Sequence, residues 1–259
     1  MIMSRILVIK IGGNIVDDPA ASRRFLTGFA TLPHYKILVH GGGKIATEMA
    51  GKLGVPTQMI DGRRMTDAAM LDVVTMVYGG LVNKKIVAQL QALGCNALGL
   101  TGADAGIMLA RKRPVGVIDY GFAGDIERVD APQLLAFLRQ ELTPVIAPLT
   151  FDTHGQILNT NADTMASAIA TALARQGVEV GLVYCFEKKG VLLNPDDDDS
   201  VIADMDQEKY ARLKADGIVS KGMIPKLDNA FAALSQGVKE VRIIHADSIA
   251  SQSGTALTL

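Results

Sequence analysis

Short apolar, β-branched runs at 5–11, 36–40, 96–100, 144–148, 179–186 and 241–245 are separated by longer segments of helical periodicity. That alternation predicts an α/β fold: a three-layer αβα sandwich with a mainly parallel central sheet and helices on both faces. Between Asp67 and Leu93, the residues Met70, Val74, Val77, Leu81, Ile86, Leu90 and Leu93 recur at helical intervals. They predict a helix about 40 Å long at 1.5 Å per residue, in which Gly79-Gly80 either permits a kink or lets another surface pack closely. Its apolar stripe must be covered, by the chain's own core or by a second copy. Thr160-Asn161-Ala162-Asp163 precedes an alanine-rich segment ending near Arg175-Gln176-Gly177. This predicts a capped helix with a glycine stop, with Asn161 and Asp163 at its start and Thr160 and Asp163 at capping-box spacing. Pro225 predicts the first turn of another helix, running through Leu234 to Gly237, and sets Lys226 near its start, where a cation opposes the helix dipole.

With 259 residues, 49% of them hydrophobic, the chain can build a substantial core. Its 26 basic and 27 acidic residues give a net charge of -1, which supplies no electrostatic case for nucleic acid or an anionic membrane surface. No apolar run approaches the ~20 residues that span a bilayer, so a cytoplasmic protein is expected. Cys95 and Cys185 lack CxxC partners and read as small apolar residues. His34, His40, His154 and His245 show no zinc-ligand spacing. The acidic block Asp196-Asp197-Asp198-Asp199 follows Pro195 and reads as a solvated surface turn.

The chemistry concentrates at strand ends. Lys10 closes the apolar strand Ile6-Leu7-Val8-Ile9 and runs into Gly12-Gly13. Burying an unpaired ammonium costs several kcal/mol, roughly the price of leaving any charge without a partner, so an anion is expected opposite it. The competing reading is a lysine snorkelling from a strand end. Gly41-Gly42-Gly43 follows the next strand and opens a helix-like stretch. Two glycine-rich strand ends suggest a phosphate cradle of backbone N–H groups. Gly41-Gly42-Gly43-Lys44-Ile45-Ala46 also fits a relaxed G-x-G-x-x-A, so a Rossmann-type dehydrogenase is the alternative. The stretch Leu53–Gln58 makes a poor second strand before Asp61, which weighs against it. No G-x-x-x-x-G-K-[ST] is present, which disfavours ordinary P-loop kinases.

Five motifs occur in order: Lys10-Ile11-Gly12-Gly13, His40-Gly41-Gly42-Gly43, Gly62-Arg63-Arg64-Met65-Thr66, Asn159-Thr160-Asn161-Ala162-Asp163 and Gly222-Met223-Ile224-Pro225-Lys226. Together they resemble the acylglutamate kinases of the amino-acid kinase family over almost the whole chain. The resemblance implies the amino-acid kinase fold. It implies an acylglutamate-binding and dimerisation lobe at 1–180 and an ATP-binding lobe at 181–259. The implied reaction is ATP-dependent phosphorylation of the side-chain carboxylate of an N-acyl-L-glutamate in arginine biosynthesis, with N-acetyl-L-glutamate first and N-succinyl-L-glutamate second. Other phosphotransferases of the family and a noncatalytic amino-acid sensor are the remaining alternatives. A carboxylate with pKa ≈ 4.3 is already a nucleophile at neutral pH, so no general base is needed.

By the same resemblance, Lys10 and Lys226 flank the transferred phosphoryl group and Asp163 holds both ammonium groups. Gly12, Gly13, Gly42 and Gly43 donate N–H groups to phosphate oxygens. Gly42, Gly43, Arg64, Asn159 and Asn161 bind the acceptor, and Glu187, Gly190, Ile218, Val219, Ser220 and Met223 bind nucleotide. Glu187-Lys188-Lys189-Gly190 departs from the aspartate-led loop common in the family. Magnesium is expected with ATP, held by no protein side chain directly. Nine residues precede Lys10; arginine-inhibited hexameric relatives carry an extra N-terminal helix there. An arginine-insensitive homodimer built on the 67–93 helix is expected.

Overall fold

The computed structural model describes residues 5–33, 35–60, 62–194, 196–219 and 223–259. Ser220 of the expected nucleotide set lies outside the described residues, as do His34, Asp61, Pro195 and Gly222.

The central strands are β1 (Ile6–Ile11), β2 (Tyr35–His40), β5 (Ala97–Leu100), β8 (Thr143–Ile146), β11 (Val180–Phe186) and β13 (Glu240–His245). They match the six apolar runs to within two residues at each end, and they pair in parallel. Every residue of β1 and β11 is buried, because helices cover both faces of the sheet. Two short strands extend one edge: β14 (Gly254–Leu257), antiparallel to β13, and β12 (Asp204–Met205). The full order is β12-β14-β13-β11-β1-β2-β8-β5.

Side chains alternate across this sheet with a period of two and divide the core into two layers. Ile6, Val8, Leu182 and Tyr184 face one layer, which also contains residues of α6 (Ala131–Arg139), α7 (Ala162–Ala174), α8 (Gln207–Ala215) and α9 (Ile224–Ser235). Leu7, Ile9, Ile11, Val183 and Cys185 face the other, with residues of α1 (Gly13–Asp17), α2 (Pro19–Ala30), α3 (Gly43–Lys52), α4 (Ala68–Val74) and α5 (Asn83–Ala92). Lys10 falls on the first face by parity, two residues beyond Val8. That parity is why its ammonium meets α7.

Two smaller sheets lie apart from the apolar runs. One has the order β10-β9-β6-β7, formed by β6 (Met108–Lys112), β7 (Gly124–Val129), β9 (Leu149–Phe151) and β10 (Ile157–Asn159). The other is the pair β3 (Met59–Ile60) and β4 (Arg63–Arg64). The first carries Asn159 and the second Arg64.

The helical run expected from Asp67 to Leu93 is continuous but not uniform. α4 passes into a π-helical segment, Thr75–Val82, and then into α5. Gly79-Gly80 lies within the π segment, and Gly79 allows close packing: a Cβ there would stand 3.4 Å from Leu149 Cδ1. Met70, Val74, Val77, Ile86 and Leu90 of the stripe are buried, whereas Leu93 follows the helix end and is 42% exposed. No helix among the described residues is long and apolar enough to cross a membrane.

Candidate active site

The site forms where β1 and β11 end beneath the start of α7. Lys10 and Tyr184 are register partners on these adjacent parallel strands and point the same way. Lys10 Nζ lies 2.7 Å from Asp163 Oδ1, and Lys226 Nζ, in the first turn of α9, lies 3.0 Å from Asp163 Oδ2. The Tyr184 hydroxyl donates to the Asp163 carbonyl at 3.2 Å, and Lys226 Nζ stands 5.2 Å from the Phe186 ring centroid. The unfavourable placement of Lys226 at a helix start is thus offset by an aspartate at the favourable end of another helix.

Burial pushes the Asp163 carboxyl pKa up, but the Lys10 and Lys226 ammonium groups outweigh it and hold the group below its ordinary value. Two ammonium groups on one carboxylate leave a net positive charge in a largely buried place. An anion would complete that balance.

Asn161, rather than Thr160, is the N-cap of α7: its Oδ1 accepts from the Thr164 N–H at 3.0 Å. Thr160 turns away to share a 2.7 Å hydrogen bond with Thr150, so no Thr160–Asp163 capping box forms. Asp163 is free of capping and available to the lysines.

The two glycine loops abut. A Cβ on Gly41 would stand 3.2 Å from Gly13 N, and one on Gly13 would stand 3.6 Å from Gly43 N. Gly42 has φ 150°, a conformation that favours glycine, and its Cβ direction is closed off by the Tyr78 ring at 3.3 Å. Neither α1 nor α3 receives a side-chain bond from its N-cap residue, which is a glycine in both. His40 fixes the second loop from below. Its Nδ1 donates to Gly41 O at 2.7 Å, and its Nε2 accepts from Asn83 Nδ2 at 3.2 Å. Complete burial lowers its pKa to about 4, so it is neutral at pH 7.

Arg64 is buried beside the second loop, donating from Nη2 to Gly43 O at 2.7 Å and to Thr47 Oγ1 at 2.8 Å. Asn159, at the end of β10, donates to Thr66 Oγ1 at 2.9 Å, and Thr66 Oγ1 donates to Arg64 O at 3.1 Å. Arg64 and Asn159, 95 positions apart in the chain, thus share one support. Gly41, Gly42, Gly43, Arg63, Arg64, Tyr78, Asn159 and Asn161 line a cleft of about 740 Å³. The lining takes in Ala162 and Thr164 and continues along α7 and α9 to Arg175 and Gln236, but Lys10, Asp163 and Lys226 are not part of it. The charged cluster sits next to the cleft rather than in its wall.

A family model for the amino acid kinase family matches residues 5–245. The chain belongs to the amino acid kinase family. It is 56% identical to the acetylglutamate kinase of Cytophaga hutchinsonii over 248 residues, covering 95% of this chain and 94% of that one. It is 53% identical to the acetylglutamate kinase of Parabacteroides distasonis, covering 98% and 99%. Among solved structures, the smu.665 protein of Streptococcus mutans superposes with a TM-score of 0.81 at 26% identity over 98% of both chains. Carbamate kinase from Giardia lamblia, bound to AMP-PNP, shares the fold at 13% identity with a TM-score of 0.71, covering 100% and 99%.

Within this amino acid kinase, the sequence-predicted residues separate into groups. Lys10, Asp163 and Lys226 meet in one cluster, Gly12, Gly13, Gly42 and Gly43 in a second, and Arg64 and Asn159 in a third. The nucleotide set is more dispersed. Glu187 accepts from Asn14 Nδ2 at 3.0 Å and so borders the first glycine loop. Gly190 packs against β14, where a Cβ would come 2.7 Å from Thr255 Oγ1. Val219 is buried, and Ile218 and Met223 pack against the α7-side core. Lys188 and Lys189 contact Asp198 and Asp199 at 2.8 and 2.5 Å on the surface, which gives the acidic block a partner. Thr47, Tyr78 and Asn83 border the site but belong to none of the five motifs. Their periodicity marks them as ordinary helix or loop positions, and only the fold reveals what they touch.

Proposed function

We propose that this amino acid kinase transfers the γ-phosphoryl group of ATP to the side-chain carboxylate of an N-acyl-L-glutamate, with N-acetyl-L-glutamate as the first acceptor. This is the activity named for its relatives of 53–56% identity and a step of arginine biosynthesis. The observation that carries the reading is the Lys10–Asp163–Lys226 cluster. It places two ammonium groups and one net positive charge beside two facing glycine loops, next to a cleft containing a buried arginine.

A carboxylate and a triphosphate repel each other, so catalysis rests on alignment and on offsetting charge at the migrating phosphoryl oxygens. In this reading Lys10 and Lys226 supply that charge. Asp163 keeps them near each other, and the amides of Gly12, Gly13, Gly42 and Gly43 bind phosphate oxygens. Arg64, with Asn159, holds the acceptor's α-carboxylate. Magnesium would enter on the nucleotide phosphates, since both Asp163 oxygens already face lysines. Glu187, Gly190, Ile218, Val219, Ser220 and Met223 serve the nucleotide in this reading, which divides the chain into an acceptor lobe at 1–180 and an ATP lobe at 181–259. A cytoplasmic homodimer through the 67–93 helical run completes it, supported by Met76, a large apolar residue 55% exposed on the π segment.

An N-succinyl acceptor is the second reading, because Arg63 and Arg113 also line the cleft and would face an extra carboxylate. Steady-state ADP release with each acceptor, together with trapping of the acyl phosphate by hydroxylamine, tests both. ADP release that does not depend on any N-acylglutamate overturns the proposal.

A further inference from the structure

Lys226 sits in the first turn of α9, and that turn does little to hold itself. Met223, at the N-cap position, offers no side-chain hydrogen bond, and the turn contains no acidic residue to offset the lysine's charge. What grips the helix start comes from α8. The Tyr210 hydroxyl donates to Asp228 Oδ1 at 2.7 Å and lies 3.4 Å from Ile224 O. Lys214 Nζ meets the same carboxylate at 3.0 and 3.3 Å. The Tyr210 ring stacks on Phe231, with centroids 5.2 Å apart and planes inclined by 18°. At about 100° per residue, Ile224, Asp228 and Phe231 span only about 60° of the helix surface, and Lys226 lies about 140–160° round from them. Tyr210 thus braces α9 from behind, while Lys226 projects forward to Asp163 at 3.0 Å. A phenylalanine would fill the same stack, so what the hydroxyl adds is the bond to α9.

We propose that Tyr210 is a positioning residue for phosphoryl transfer: by bonding Asp228 and stacking on Phe231, it fixes the first turn of α9 and with it the place of the Lys226 ammonium. The inference rests on the reading of Lys226 as a carrier of charge to the migrating phosphoryl group. The expected acceptor contacts, Arg64 and Asn159, lie on β4 and β10 rather than on α9. Loss of the hydroxyl should therefore act on kcat and spare acceptor binding.

In Tyr210→Phe, kcat should fall about ten-fold, the weight of a hydrogen bond to a charged group, while the KM for N-acetyl-L-glutamate stays within about two-fold of wild type. Asp228→Ala, which removes the other end of the bond, should match it. The double-mutant cycle with Lys226→Ala gives the sharper test: in that background Tyr210→Phe should change kcat by less than about two-fold, because the group it positions is gone. A tyrosine that only stabilises the fold would lower kcat by the same factor in both backgrounds. Equal factors overturn the assignment, as does a Tyr210→Phe kcat within about two-fold of wild type. If thermal melting shows Tyr210→Phe to be unfolded, the cycle is run with Asp228→Ala under the same criteria. Wild-type enzyme that turns over no N-acylglutamate, or Lys226→Ala with near-normal kcat, overturns the underlying reading and this inference with it. An active wild type and an impaired Lys226→Ala, with losses that simply multiply, overturn only the inference.

Discussion

At the scale of single residues, the chemistry follows from unequal charge. Lys10 is 7% exposed and Lys226 more open, and Asp163 balances only one of them. Lys10→Ala and Lys226→Ala should each lower kcat by about 100-fold or more, near 3 kcal/mol of lost transition-state stabilisation. Near-normal kcat in both folded variants would remove them from the reaction. Asp17, on the side of the glycine loops, gives a contrasting test. Both its carboxylate oxygens are inaccessible. Burial pushes its pKa up, only partly opposed by Lys44. A carboxyl whose folded pKa is raised holds its proton more tightly when folded, so stability falls as pH rises from 3.8 through the folded pKa, and the penalty persists above it. Asp17→Asn should accordingly raise Tm at pH 7 and leave it unchanged near pH 3. A lower Tm at pH 7 would show that the charge is stabilising.

At the scale of elements, the lysines were legible from strand parity and motif order, whereas their supports were not. A two-residue period places Lys10 on the Val8 face, and a proline at 225 announces the helix that carries Lys226. Nothing in the periodicity of 67–93 distinguishes a π segment from an α-helix, because both keep an apolar stripe. The strands that carry Arg64 and Asn159 are only two and three residues long, too short for a pattern to emerge. The junction at Asn83 shows what the π segment positions. Asn83 Nδ2 donates to Val145 O at 2.9 Å and to His40 Nε2, and Lys84 Nζ reaches Asn83 Oδ1 and Gly99 O at 3.2 and 3.1 Å. This network joins the helical run to the strand that ends in the second glycine loop. It also requires a neutral His40. With a folded pKa lowered to about 4 against an ordinary 6.5, His40 contributes stability that is full above pH 6.5 and is lost as pH falls toward 4. The fall of Tm between pH 6.5 and 4 should therefore be shallower in His40→Gln than in wild type. An equal slope in both proteins assigns the acid sensitivity to other groups.

At the scale of the whole molecule, the unanswered question is how the cleft and the cluster become one site. The cleft wall runs along α7 and α9, from Ala162 and Thr164 to Asn229 and Gln236, without including the charged cluster, whose two ammonium groups come one from the first strand and the other from a helix of the C-terminal part. Phosphoryl transfer requires acceptor and nucleotide to be in line and shielded from water, and Lys226 rides on α9, which follows the expected boundary between the lobes. Drawing that part inward on ATP would carry Lys226 toward the migrating phosphoryl group and leave Lys10 stationary in the sheet. A nonhydrolysable ATP analogue with N-acetyl-L-glutamate should therefore reduce the radius of gyration in solution scattering at constant molecular mass. Lys226→Ala should weaken that contraction more than Arg64→Ala, since the first removes a charge from α9, on the moving part, and the second removes one from β4, within the expected 1–180 lobe. If both ligands bind and the scattering curve does not change, the lobes are already closed and transfer occurs without their movement.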